Sequence, residues 1–135
     1  MKRVMLVVVC TGVVAAAVVL RAQDAAKVDP GHYKVLIDNP SVRVLRINYA
    51  PGAQSVMHQH PDSIVIPMSA SKVEFTLPDG TKQTQDMAND SAMYSSPGTH
   101  NPKNVGTTPV TGILVEFKGA ALAKRCCPRN DPACS

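Results

Sequence analysis

The chain has 135 residues, enough for one domain with a single core. Apolar residues make up 44% and aromatics only 4%, and eleven prolines with eight glycines argue against a fold of long helices. The formal charge of +4 includes Lys2, Arg3 and Arg21; without these three of fourteen basic residues the chain nearly balances its ten acids, which leaves no electrostatic footprint for nucleic acid.

Lys2 and Arg3 precede an uncharged apolar stretch from Val4 to Leu20, and small residues follow around Ala22. This is the layout of a secretory signal peptide over residues 1–23, cut after Ala22 or Gln23, and it predicts a secreted or periplasmic protein. Left uncleaved, an apolar run of about 17 residues is at the short limit for a bilayer span, and the alternative is an N-terminal membrane anchor.

After a polar lead-in over 25–30, the signals are those of strands. Tyr33–Ile37 is a short apolar run closed by the turn cluster Asp38-Asn39-Pro40. Val42–Tyr49 alternates, with a phase slip after Val44 that sets Leu45, Ile47 and Tyr49 against Arg43, Arg46 and Asn48. Val56–His60 and Ile64–Met68 follow, separated at Pro61. Lys72–Leu77 alternates cleanly, Pro78-Asp79-Gly80 makes a hairpin turn, and Thr81–Thr84 returns from it. Ser91–Ser95 is short, and Thr111–Phe117 is the last strong strand. Only GAALAK at 119–124 reads as a helical turn or two. Short, regularly spaced strands with turn chemistry between them predict an all-β sandwich or small barrel.

Two segments carry chemistry. Met57-His58-Gln59-His60 places two imidazoles on one face of a strand, because side chains alternate. Alone, this pair is also what a solvated strand presents. The second segment is Pro97-Gly98-Thr99-His100, with Asn104 four residues on. Together, Gly52 followed by five residues and His58-Gln-His60, and His100 followed by three residues and Asn104, resemble the two motifs of the cupin superfamily. The resemblance covers roughly residues 33–118. It implies a small double-stranded β-helix, a jelly-roll barrel, over residues 31–118. It also implies a site for a divalent transition metal (Fe, Mn, Ni, Zn or Cu) held by His58, His60 and His100.

The sequence departs from the motif pattern in three places. The motif's glutamate falls on Ile64 or Val65, both apolar, and its closing glycine is missing around Ser69–Lys72. Asn89-Asp90 stands where the second motif has a glycine; Asn tolerates a positive φ, so the turn survives. Asp62 shares the strand parity of His60 and is the candidate replacement oxygen ligand; a surface or turn carboxylate is the plainer reading. Tyr94, Met68 and Asn104 are further pocket candidates, with Phe75 and core packing as the alternative for the apolar ones. His32 lies outside both motifs and is expected to be exposed. No general base is evident beside the histidines.

The tail, residues 119–135, holds Cys126, Cys127 and Cys134. In an oxidising compartment Cys126 or Cys127 can pair with Cys134 and leave one thiol over. Two functions follow from the resemblance: a metal-dependent, dioxygenase-like enzyme acting on a small organic substrate, or a non-catalytic module that binds a small molecule or metal. A homodimer, as is common among small cupins, would cover exposed sheet edges.

Overall fold

The computed structural model describes residues 23–119. Residues 1–22 of the leader, residues 120–124 of the GAALAK turn, and Cys126, Cys127 and Cys134 with any disulfide among them lie outside the described residues. The elements are a short helix α1 (Ala25–Val28) and nine strands: β1 (Tyr33–Asp38), β2 (Val42–Tyr49), β3 (His58–His60), β4 (Ser63–Pro67), β5 (Ser71–Thr76), β6 (Lys82–Met87), β7 (Met93–Ser95), β8 (Gly98–Asn104) and β9 (Val110–Phe117). They form two antiparallel sheets, ordered β1-β2-β9-β4-β7 and β3-β8-β5-β6.

The alternation of the sequence becomes the inside and outside of the barrel. On β9, Val110, Gly112, Leu114 and Glu116 point inward and their neighbours are only partly covered. Leu45 and Tyr49 from β2, Val73 from β5 and Met87 from β6 meet Val110 and Leu114 in the core. The hairpin between β5 and β6 turns where expected: Gly80 adopts a φ of 85°, which a side chain would resist, and its N–H donates to Leu77 O at 2.9 Å.

Four expectations change. Residues 25–30 are not a loose lead-in. Asp24 caps α1 by accepting from Lys27 N at 3.3 Å, Ala25 is fully buried, and Gln23 O accepts from Gln59 N, so the packed domain starts before residue 31. The phase slip expected in β2 is absent. β2 pairs with β9 without interruption from Val42–Phe117 to Tyr49–Val110, which puts Arg43 on the same face as Leu45. The irregularity sits on edge strand β1, where the register shifts between Val35 and Ile37. The residue with positive φ near the second motif is Asp90 (55°), not Asn89; its short polar side chain tolerates that conformation as well.

The fourth change matters most for the site. The stretch around His100 is a full strand, β8, central in its sheet despite Pro102. Pro102 O accepts from Ser55 N at 2.9 Å, on the side away from β5, so the missing proline N–H is not one the β5 ladder needs. Beyond Pro102, Asn104 pins the loops. Its Nδ2 donates to Tyr49 O (3.1 Å) and Thr108 O (2.8 Å), and its Oδ1 accepts from Gly106 N (2.9 Å). Asn104→Ala orphans these buried backbone groups and is expected to lower stability by about 2–3 kcal/mol. The urea midpoint reports it, and an unchanged midpoint would contradict this role.

Candidate metal centre

Strand pairing brings the three histidines together. β3 and β8 are antiparallel, with His58 directly opposite His100 and His60 opposite Gly98. Side chains at opposed positions lie on one face, so both members of the His-x-His pair meet the imidazole of the neighbouring strand. The ring centroids are 4.8 Å apart for His58–His60, 5.2 Å for His58–His100 and 5.5 Å for His60–His100. One ring nitrogen of each lies within 4.8 Å of the others.

Buried partners orient two of the rings. The Nδ1–H of His58 donates to Val56 O at 2.8 Å, with Ser55 Oγ at 3.2 Å. Its Nε2 therefore carries the lone pair, and Tyr33 O–H donates to it at 3.1 Å. The Nδ1–H of His60 donates to Glu116 Oε1 at 2.6 Å, which leaves Nε2 of His60 with the lone pair too. Glu116 is fully buried, and its second oxygen accepts from Arg43 Nε at 2.5 Å. Arg43 Nη1 in turn donates to Asp24 Oδ2 at 2.5 Å. Ser55 Oγ donates to Asp29, which also holds His32 through Nδ1 at 2.8 Å. His32 is thus half-buried rather than exposed, and it stacks on Tyr49 with ring centroids 4.2 Å apart.

The electrostatics keep the site neutral on its inner face. Burial, then the proximity of His60, pushes His58 down to about 4. Burial, then His60 and His58, pushes His100 down to about 3. Both are bare imidazoles at neutral pH, the form that binds a metal. Burial raises the Glu116 carboxyl, but hydrogen bonds from His60 and Arg43 outweigh it and hold the group below its usual value. Burial, and then Tyr49, Asp29 and Glu116, raise Tyr33 well above the phenol range.

The donor set fits a transition metal: three imidazoles, two with Nδ1 fixed by a carbonyl or carboxylate so that Nε2 is left to the cluster.

The other site candidates divide. Asp62 lies between β3 and β4, since Pro61 ends the strand, and it accepts from the Tyr94 hydroxyl instead of joining the histidines. Val65 lines the cavity beside the histidines, so β4 offers an apolar side chain where the motif has its acid. Tyr94 stands at the cavity mouth, mostly exposed, and Phe75 packs on His100 with centroids 5.0 Å apart. Met68 does not line the cavity beside the histidines. It follows the end of β4 with outward parity and is 52% exposed, next to Arg46 and Asn48. Asn104 borders the cavity, but its polar atoms are all committed to backbone.

Glu116, Arg43, Tyr33 and Asp29 were not singled out in the sequence. The signal for Glu116 was present: it shares the parity of Leu114 and Gly112, and an acid on a core face requires a partner.

Comparison with known proteins agrees with this geometry. No family model matches the sequence, and no curated protein matches it. Among solved structures, a cupin domain from Bordetella pertussis Tohama I is 27% identical, with a TM-score of 0.60, over 64% of this chain and 92% of that one. A double-stranded β-helix protein from Klebsiella pneumoniae (19% identity, TM-score 0.52) covers 64% of this chain and 76% of its own. An RmlC-like cupin protein from Methanocaldococcus jannaschii (15%, TM-score 0.51) covers 63% and 77%. The described residues form a small all-β cupin domain, with a histidine cluster that fits a metal site.

The depressed histidines make the metal-free fold acid-sensitive. The unfolded chain protonates His58 and His100 near pH 6.5, while the folded chain resists to about 4 and 3. Between these values the unfolded state binds more protons, so stability falls as pH drops from about 6.5 towards 4. Thermal midpoints of chelator-treated protein are expected to be lower at pH 5.0 than at pH 7.5; equal midpoints would refute the buried, neutral pair.

Proposed function

We propose that this protein is an exported small cupin that binds one divalent transition metal through His58, His60 and His100. It holds a small organic molecule in the adjoining cavity. The observation that carries the reading is the convergence of three imidazole nitrogens within 4.8 Å, two of them on rings oriented by hydrogen bonds to Val56 O and Glu116. Export rests on the leader of residues 1–23, with membrane anchoring as the outcome if it is not cleaved. An exposed edge strand bearing Val35, Leu36 and Ile37 supports a homodimer.

The catalytic form of this reading is a metal-dependent oxygenase. A metal held by His58, His60 and His100 would supply Lewis-acid or one-electron chemistry. The chain's own contributions are specific. Glu116 orients His60, Val56 O and Ser55 fix the tautomer of His58, and the apolar wall around Val73 and Phe75 keeps water from the organic ligand. A second reading, a non-catalytic binding module, is favoured by Val65 in place of the acid and by a cavity that no carboxylate lines among the described residues.

Metal analysis of the purified, reconstituted protein is expected to find close to one equivalent of transition metal. The His58→Ala/His60→Ala double variant should fall below a tenth of an equivalent while its far-ultraviolet circular dichroism stays native. Wild-type protein that also stays below a tenth would end the metal reading. Glu116→Gln keeps the shape but weakens the acceptor for His60, and metal affinity is expected to drop about 10- to 100-fold. Competition with a chromogenic chelator measures it, and unchanged affinity would dismiss Glu116 as the orienting group. Oxygen consumption with catechols, flavonols and thiols then separates enzyme from binder.

A further inference from the structure

A cavity of about 130 Å³ adjoins the histidine cluster between the two sheets. Its wall is apolar and aromatic: Val73, Phe75, Met87, Met93, Val110 and Leu114 supply most of it. The polar groups near it are largely spoken for. Asn104 is bonded to three backbone groups, Tyr33 donates to His58, and His60 donates to Glu116. Two hydroxyls differ, those of Ser63 and Tyr49: both residues line the cavity and are buried, Ser63 completely, and neither hydroxyl has a hydrogen-bond partner. A buried hydroxyl left without a partner is unfavourable, so its presence at a cavity wall points to a ligand that completes it.

Charge narrows the class further. No acid lines the cavity among the described residues, and the one lining cation, Lys103, lies on β8 between the inward-facing Pro102 and Asn104 and opposite Glu74. Alternation turns the Lys103 side chain away from the interior. In the metal-free chain a carboxylate or ammonium group entering the cavity finds no counter-charge among the lining side chains, which makes its burial costly. Size narrows it again, since an apolar cavity of about 150 Å³ accepts a single benzene-sized ring.

We propose that this cavity binds an uncharged molecule about the size of one aromatic ring, carrying a hydroxyl or carbonyl that pairs with Ser63. The ring lies between Val73, Phe75 and Leu114, and the polar end faces Ser63 beside the histidines. This deepens the functional reading above by naming its ligand class, but ring binding does not need the ion.

The test uses the full chain, stripped of metal, with phenol, toluene and benzoate as probes. Methyl-resolved NMR of Met, Val and Leu residues is the readout. Phenol and toluene are expected to shift the methyls of Val73, Met87 and Leu114, and benzoate should leave them unmoved at tenfold higher concentration. Ser63→Ala, checked for an unchanged melting temperature, should weaken phenol about two- to tenfold and leave toluene within twofold. No shift with phenol and toluene, or equal binding of benzoate, overturns the ligand class. Equal effects of Ser63→Ala on phenol and toluene overturn the role of Ser63. Metal uptake without phenol binding removes this inference alone, and phenol binding without metal uptake removes the metal reading alone.

Discussion

The structure depends on one buried carboxylate. Glu116 sits on the core face of β9, opposite Arg43 on β2 and Ser63 on β4, with His60 at its other oxygen. A charge in that position is tolerable only if both oxygens are paired, and Arg43 and His60 do this at 2.5 and 2.6 Å. The pairing fixes the β2–β9 register and the rotation of His60 together. A residue that reads as a flaw in an apolar strand is thereby the link between the sheet and the metal centre.

The same link extends to the segment before the first strand. Asp24 caps helix α1 and holds the outer side of Arg43, while Asp29, at the other end of the helix, holds Ser55 beside His58. The two ends of one helical turn thus support the outer partners of two different histidines. This gives a physical reason for residues 23–29 to pack as part of the domain: they satisfy charges and hydroxyls that the barrel cannot satisfy alone.

The site combines two opposed environments at short range. On one side are hydrogen-bonded imidazoles backed by ionised groups; on the other is a wall of aliphatic and aromatic side chains. Antiparallel pairing makes this possible, because one face of β3 and β8 carries the histidines while β5, β6 and β9 close the rest of the barrel. The burial that disfavours protonated His58 and His100 comes from the same apolar packing that lines the cavity, so one constraint serves both metal affinity and ligand affinity.

Much of this was legible in one dimension. Alternation and turn residues determine the strands, because the period of two and the positive φ of a glycine such as Gly80 are local properties. The spacing of His58, His60 and His100 with Gly52 and Asn104 marks the candidate centre, since ligands on alternating positions must share a face. What the sequence could not decide is which distant groups meet. β8 was hidden because Pro102 lowers strand propensity, and only its place against Ser55 shows that the missing N–H is harmless. Arg43 looked displaced by a slip in β2 until the pairing put the bulge on β1. Asp62 shared the parity of His60 and Met68 was a pocket candidate, but Pro61 turns the first aside and the outward parity past β4 exposes the second. The contacts of Glu116 with Arg43 and His60 span 73 and 56 residues of chain, and separations of that length are set by sheet order, which no local pattern encodes.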